Sequence, residues 1–206
     1  MTETFFDATP YRNTGEFSHP ALRLLERHWQ SLRDGQAAPK RDAINPAAID
    51  NALPFTFILH RVAPGVGRIR VAGQELHNVL RMDPRGMPLS AFFDADDRST
   101  LSVHLESVFT DPALILMPLH RPPAILRPVV QGAFLLMPLT DAYGEVTQAI
   151  GALVTDRSLG HRRRVQINGA LPMRYEPLSM YKRPTIAQTK GPNAPRPALR
   201  LVVNNC

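Results

Sequence analysis

The side chains able to do chemistry are scattered along this 206-residue chain without the spacings that catalysis or metal binding needs. No Gly-x-Ser-x-Gly elbow occurs, and no carboxylate pair stands beside a histidine as hydrolytic machinery would require. Gly65-Val66-Gly67 comes nearest to a phosphate loop, but it lacks the lysine and hydroxyl that follow such loops and reads as a tight turn between strands. Asp94, Asp96 and Asp97 lack the glycine and terminal glutamate of a calcium loop and read as acids at a helix start. The one cysteine, Cys206, is the last residue, so a disulfide framework, a zinc set of paired thiolates and an internal nucleophilic thiol are all excluded. The expectation is a non-enzymatic protein with no metal and no cofactor, in a reducing compartment.

Arginines offer the remaining polar chemistry. Arg70 and Arg85 could hold an acidic ligand, or pair with loop acids, of which Asp83 and Asp42 are the natural partners. Arg162, Arg163 and Arg164 form a basic run whose readings are a solvated face, contact with nucleic acid or anionic lipid, or docking on an acidic protein. An arginine cluster also serves cyclic-dinucleotide receptors, but Asp156-Arg157-Ser158-Leu159-Gly160 lies on the wrong side of the run and is one residue short. The formal charge of +6 divides unevenly: residues 1–156 hold 14 basic and 17 acidic side chains, net −3, and residues 157–206 hold 10 and one, net +9. Basicity thus belongs to the C-terminal part and argues against a dedicated nucleic-acid-binding face.

Hydrophobic residues make up 44% and charged residues 20%, which is a globular composition. Twenty prolines against 12 glycines disfavour a helical bundle. The first residues carry acids where a secretory leader has a basic start, and no apolar run approaches the roughly 18 residues of a membrane span. A cytoplasmic protein is expected, with residues 1–17 as a flexible N-terminus, 18–156 as one folded domain and 157–206 as a basic, proline-rich, largely disordered tail.

Elements must position whatever site exists. Ser18-His19-Pro20 offers a capping serine and an early proline, after which Leu22, Leu25, Trp29 and Leu32 recur at helical spacing up to Gly35. Asn45-Pro46 opens a short helix through Asp50. Residues 55–62 and 68–72 read as a hairpin, the second strand alternating Ile69 and Val71 with polar positions. Residues 74–80 form a short helix, Ser90 caps a turn holding Phe92 and Phe93, and 94–109 form a longer helix with Leu101, Leu105, Val108 and Phe109 on one face. Residues 113–120, 129–139 and 146–155 complete a meander, with Pro118 and Pro138 at edge or bulge positions. The fold class is α+β: a five-stranded antiparallel sheet with short helices on one face and an N-terminal amphipathic helix.

This order and size resemble a PAS domain, in which a hairpin, intervening helices and a three-stranded meander enclose a small pocket. The stretches His28-Trp29-Gln30-Ser31-Leu32-Arg33, Arg41-Asp42-Ala43-Ile44-Asn45-Pro46, Arg68-Ile69-Arg70-Val71-Ala72-Gly73 and Arg85-Gly86-Met87-Pro88-Leu89 are similar to the stand-alone PAS proteins of alphaproteobacteria, a family formerly catalogued as a domain of unknown function. The similarity covers roughly residues 21–156. It implies a sensory or regulatory module that binds a small apolar ligand, protein partners in signalling, or both; the alternative is a nucleic-acid- or anionic-surface-binding protein acting through its tail. The expected pocket is lined by Phe57, Leu76, Val79, Phe92, Leu105, Phe134 and Leu136, with Phe55, Phe93 and Phe109 as further lining candidates. Leu22, Leu25, Trp29 and Leu32 are expected to cover the sheet or a second subunit. Some PAS domains hold haem through a histidine on the long helix, which makes His104 either a pocket residue or a boundary residue packed on its ring face; His77 is expected at the surface. A flavin photoadduct needs a pocket cysteine and is excluded.

Overall fold

The computed structural model describes residues 18–123, 128–157, 159 and 164–178. Helix α1 spans Pro20–Arg33. Its cap is the His19 ring, whose Nδ1 accepts the Ala21 N–H at 3.2 Å, rather than the expected Ser18, whose hydroxyl accepts from Arg23 instead. Pro20 is placed where a missing N–H costs nothing, and left-handed Asp34 (φ 45°) and Gly35 (φ 78°) end the helix. Two 3-10 segments follow, Arg41–Ala43 and Pro46–Phe55; the second is opened by the Asn45 side chain, which accepts the Ala47 N–H at 3.0 Å.

Strands β1 (Thr56–Ala63) and β2 (Val66–Ala72) form the expected hairpin, turning at Gly65 (φ 67°). Helix α2 covers Gln74–Leu80, a 3-10 turn spans Leu89–Phe92, and α3 runs over Arg98–Thr110. The meander is β3 (Ala113–Arg121), β4 (Val130–Thr140) and β5 (Val146–Thr155). Asp94 and Asp97 do not cap α3 through their side chains: the Asp97 carboxylate accepts the Ile167 N–H at 3.0 Å and the Asp94 carboxylate accepts from Gln166 Nε2 at 2.8 Å. Likewise Pro88, not Ser90, holds the cap position of the Leu89–Phe92 turn.

Those two contacts reveal a difference in strand count. Two short strands, β6 (Gln166–Ile167) and β7 (Arg174–Pro177), pair antiparallel with β3, so the sheet has seven strands in the order β2-β1-β5-β4-β3-β6 with β7 also on β3. Both lie in the segment that charge and proline content assign to the tail. Local composition cannot register that β3 leaves an edge free and that an unpaired edge recruits any chain with matching register. Pro118 occupies the interval on β3 between the β7-paired Leu116 and the β6-paired Leu119, and Pro138 lies beyond the last β3–β4 pair, so both prolines stand where ladder pairing is incomplete.

Both faces of the sheet are covered, which is why β3 and β4 read as continuous apolar runs rather than alternating ones. Leu114, Leu116, Leu135 and Met137 meet α1 and the 46–55 segment on the outer face. Ile115, Met117, Phe134 and Leu136 meet α2, α3 and the Leu89–Phe92 turn on the inner face. Leu22, Leu25 and Trp29 are buried against the outer face and Leu32 is half-buried, so this helix face is spent on the chain's own sheet. Of the two expected roles for this face, covering the sheet or a second subunit, it takes the first. No helix among the described residues is long and apolar enough to cross a membrane.

Candidate functional site

The inner face gathers the residues expected to line a pocket. Phe57, Phe92, Phe134 and Leu136 are fully buried, Leu76 and Leu105 nearly so, and all six belong to one cluster between the sheet and helices α2 and α3; Val79 packs at its margin. These side chains come from five elements and meet because strand residues two apart share a face, while α3 turns Leu101, Leu105, Val108 and Phe109 toward it. The centre is a ring assembly: Phe57 stacks on Phe134 with centroids 5.5 Å apart, and Phe93 meets Phe134 edge to face at 5.5 Å. Glycine at position 151 permits this, because a Cβ there would lie 2.4 Å from the Phe57 ring and 2.3 Å from the Leu135 carbonyl oxygen.

Every residue of this cluster is apolar. Its chemistry is therefore burial and shape. His104 is half-buried on α3, where burial pushes its pKa below the ordinary histidine value. His77 is also partly covered, its Nε2 3.9 Å from an Asp83 carboxylate oxygen. Phe55 belongs to the other face: it packs on the outer cluster and its ring lies 5.1 Å from that of His19.

Arg85 pairs with Asp83 as expected, Nη2 to Oδ2 at 2.6 Å, and this partner holds the Asp83 carboxyl at about 2. Asp42 pairs with its neighbour Arg41, while Arg70 projects from β2 into solvent. Arg164 is exposed and its carbonyl accepts from Arg121. Arg162, Arg163 and Cys206, together with residues 1–17, lie outside the described residues. Among the described residues no three histidine, cysteine, aspartate or glutamate side chains come close enough to share a metal ion.

One polar feature at the rim of the interior was not legible in the sequence. Glu106 of α3 accepts the Gly65 N–H at 2.7 Å and pairs with Arg61 of β1, whose guanidinium also lies 5.9 Å from the Phe109 ring centre. The Gly65 N–H and the arginine together hold the Glu106 carboxyl below its ordinary pKa. Residues 41 and 45 positions apart form this clasp, so no local pattern signals it. It ties the hairpin tip to α3, the helix that carries Leu105 into the interior.

The family model described as a PAS domain matches residues 17–154. No curated protein matches the sequence. Among solved structures, the Rhodobacter sphaeroides LOV protein is similar at 8% identity and a TM-score of 0.39, over 52% of this chain and 61% of that one. The dark structure of the blue-light photoreceptor Aureochrome1 LOV is similar at 12% identity and a TM-score of 0.40, over 54% and 81%. An RNA-binding Light-Oxygen-Voltage receptor is similar at 16% identity and a TM-score of 0.37, over 55% of this chain and a third of its own. With the family model spanning well over half of its residues, and with hairpin, helices and meander in the order described, the chain belongs to the PAS domain family.

Proposed function

We propose that this PAS domain is a non-enzymatic regulatory module of cytoplasmic signalling, in which a small apolar ligand competes for the interior and protein partners read the outcome. The observation that carries this reading is the wholly apolar cluster around Phe57, Phe93 and Phe134, linked at its rim to the hairpin through Arg61, Glu106 and Gly65. A ligand entering there must take space that Leu105 or a phenylalanine fills, so binding and a shift of α3 become one event. The clasp passes such a shift to the hairpin tip. A ligand moves this equilibrium only by its differential affinity for the two arrangements.

Native mass spectrometry of freshly purified protein tests the proposal. The expected result is a small apolar molecule retained by the wild type and absent from Leu105→Trp, with stabilisation of about 2.7 kcal/mol when ligand is a hundredfold above its dissociation constant. No retained molecule, together with a loss of roughly 1 to 3 kcal/mol in Leu105→Trp from overpacking, would defeat interior sensing and leave protein docking alone.

A further inference from the structure

The outer face carries a second concavity that has no part in the reading above. At the β1–β2 end of the sheet, the 3-10 segments Arg41–Ala43 and Pro46–Phe55 stand over the strands and leave an open groove of about 480 Å³. That volume falls in the range of small-molecule sites. Its floor is Ile58, Val71 and Ile150, three aliphatic side chains from adjacent strands that are direct register partners: Ile58 faces Val71 on one side and Ile150 on the other. Leu53 walls the groove. Val71 and Leu53 are 44% and 38% exposed and Ile58 is half-buried, so these three present apolar surface to water, while Ile150, 1% exposed, underlies them.

At the mouth stand one cation and one anion. Arg41 Nη1 lies 3.2 Å from Asp42 Oδ1, and the two side chains are 44% and 86% exposed. Such a solvated pair of sequence neighbours contributes little to stability, so both groups can be redirected to a ligand at small cost. Thr56 also lines the groove, but its hydroxyl is engaged, donating to the Ala52 carbonyl at 2.8 Å.

We propose that this groove binds a soluble amphiphile with an aliphatic chain and an amide head. The chain lies on Leu53, Ile58 and Val71, the head carbonyl accepts from Arg41, and the head N–H donates to Asp42. Hydrogen-bond complementarity selects the amide. A head that accepts on one side and donates on the other satisfies both mouth residues, whereas a carboxylate gains Arg41 and meets Asp42 at close range.

The test uses the full chain, with octanamide and octanoate as probes in calorimetric titrations and in backbone amide NMR. Octanamide should bind more tightly than octanoate, with resonance shifts at Ile58, Val71 and Gly73. Arg41→Gln should weaken octanamide by about tenfold, the loss of one charge-assisted hydrogen bond. Asp42→Asn should erase the preference by admitting octanoate, and because Asp42 is 86% exposed this variant keeps the fold. Val71→Trp, at a half-exposed position, should fill the floor and abolish binding of both probes. Tighter binding of octanoate by the wild type, shifts confined to Phe57 and Phe134, undiminished affinity in Val71→Trp, or binding to phosphatidylcholine vesicles without affinity for octanamide would each overturn the proposal.

Discussion

The indole Nε1 of Trp29 donates a hydrogen bond to the carbonyl of Pro138 at 2.9 Å, joining the first helix to a central strand 109 residues later. The ring is completely buried in the outer cluster, and the Arg33 guanidinium lies 5.1 Å from its centre. One side chain thus combines large apolar burial, a satisfied polar tip and a cation at its margin. It fixes how α1 lies across the outer face.

Trp29→Ala should therefore destabilise the domain by about 3 to 5 kcal/mol, the usual range for removing a buried aromatic ring. Trp29→Phe keeps most of the apolar area and strands the Pro138 carbonyl, so it should cost less, about 1 to 3 kcal/mol. Urea unfolding of both variants checks the order; equal losses would assign the whole effect to the hydrogen bond with Pro138, since Trp29→Phe keeps most of the ring area.

Glu106→Gln should loosen the hairpin tip. The substitution removes the ion pair with Arg61 and weakens the acceptor for the Gly65 N–H, at roughly 1 to 2 kcal/mol in this part-exposed setting. Because the folded carboxyl titrates below its ordinary value, its contribution is complete above the unfolded glutamate pKa and is lost as pH falls through the folded one. Chemical denaturation between neutral and acid pH should show wild type and Glu106→Gln converging, and amide exchange at Gly65 should be faster in the variant at neutral pH.

His19 gives a second pH dependence of the same sign. Burial and nearby Arg23 lower its pKa, and only the neutral ring has the lone pair that accepts the Ala21 N–H. The cap should therefore contribute fully above the ordinary histidine pKa and disappear as pH falls through the lowered folded value. His19→Asn retains a capping acceptor that does not titrate, so its stability should be flatter across that interval; His19→Ala should lose about 1 kcal/mol at neutral pH.

A chain ended after Leu178 should keep the full sheet, whereas one ended after Arg157 should not. The shorter form loses β6 and β7, leaves the β3 edge unpaired, and removes the groups that Asp94 and Asp97 bind. Thermal melting and limited proteolysis should show lower stability and greater aggregation for the shorter form alone. Identical melting curves would mean that the two short strands are ornamental to the sheet.

The amino-acid sequence by itself determines the elements whose signals are local. The 3.6-residue recurrence of Leu22, Leu25 and Trp29 makes a helix, and the Pro64-Gly65 turn makes a hairpin. The apolar runs between proline and glycine punctuation make the meander, and the resemblance to PAS domains is what implies a shared interior for Phe57, Leu105 and Phe134. Only the tertiary structure decides what lies across from what. Which sheet face takes Phe55 and which takes Phe57, the capture of residues 166–177 by the β3 edge, the diversion of Asp97 from capping to the Ile167 amide and the Arg61–Glu106–Gly65 clasp all depend on partners far along the chain. The physical reason is that propensity and periodicity act over a few residues, whereas an unpaired strand edge or a buried polar group is satisfied by whatever the folded chain brings within hydrogen-bonding reach.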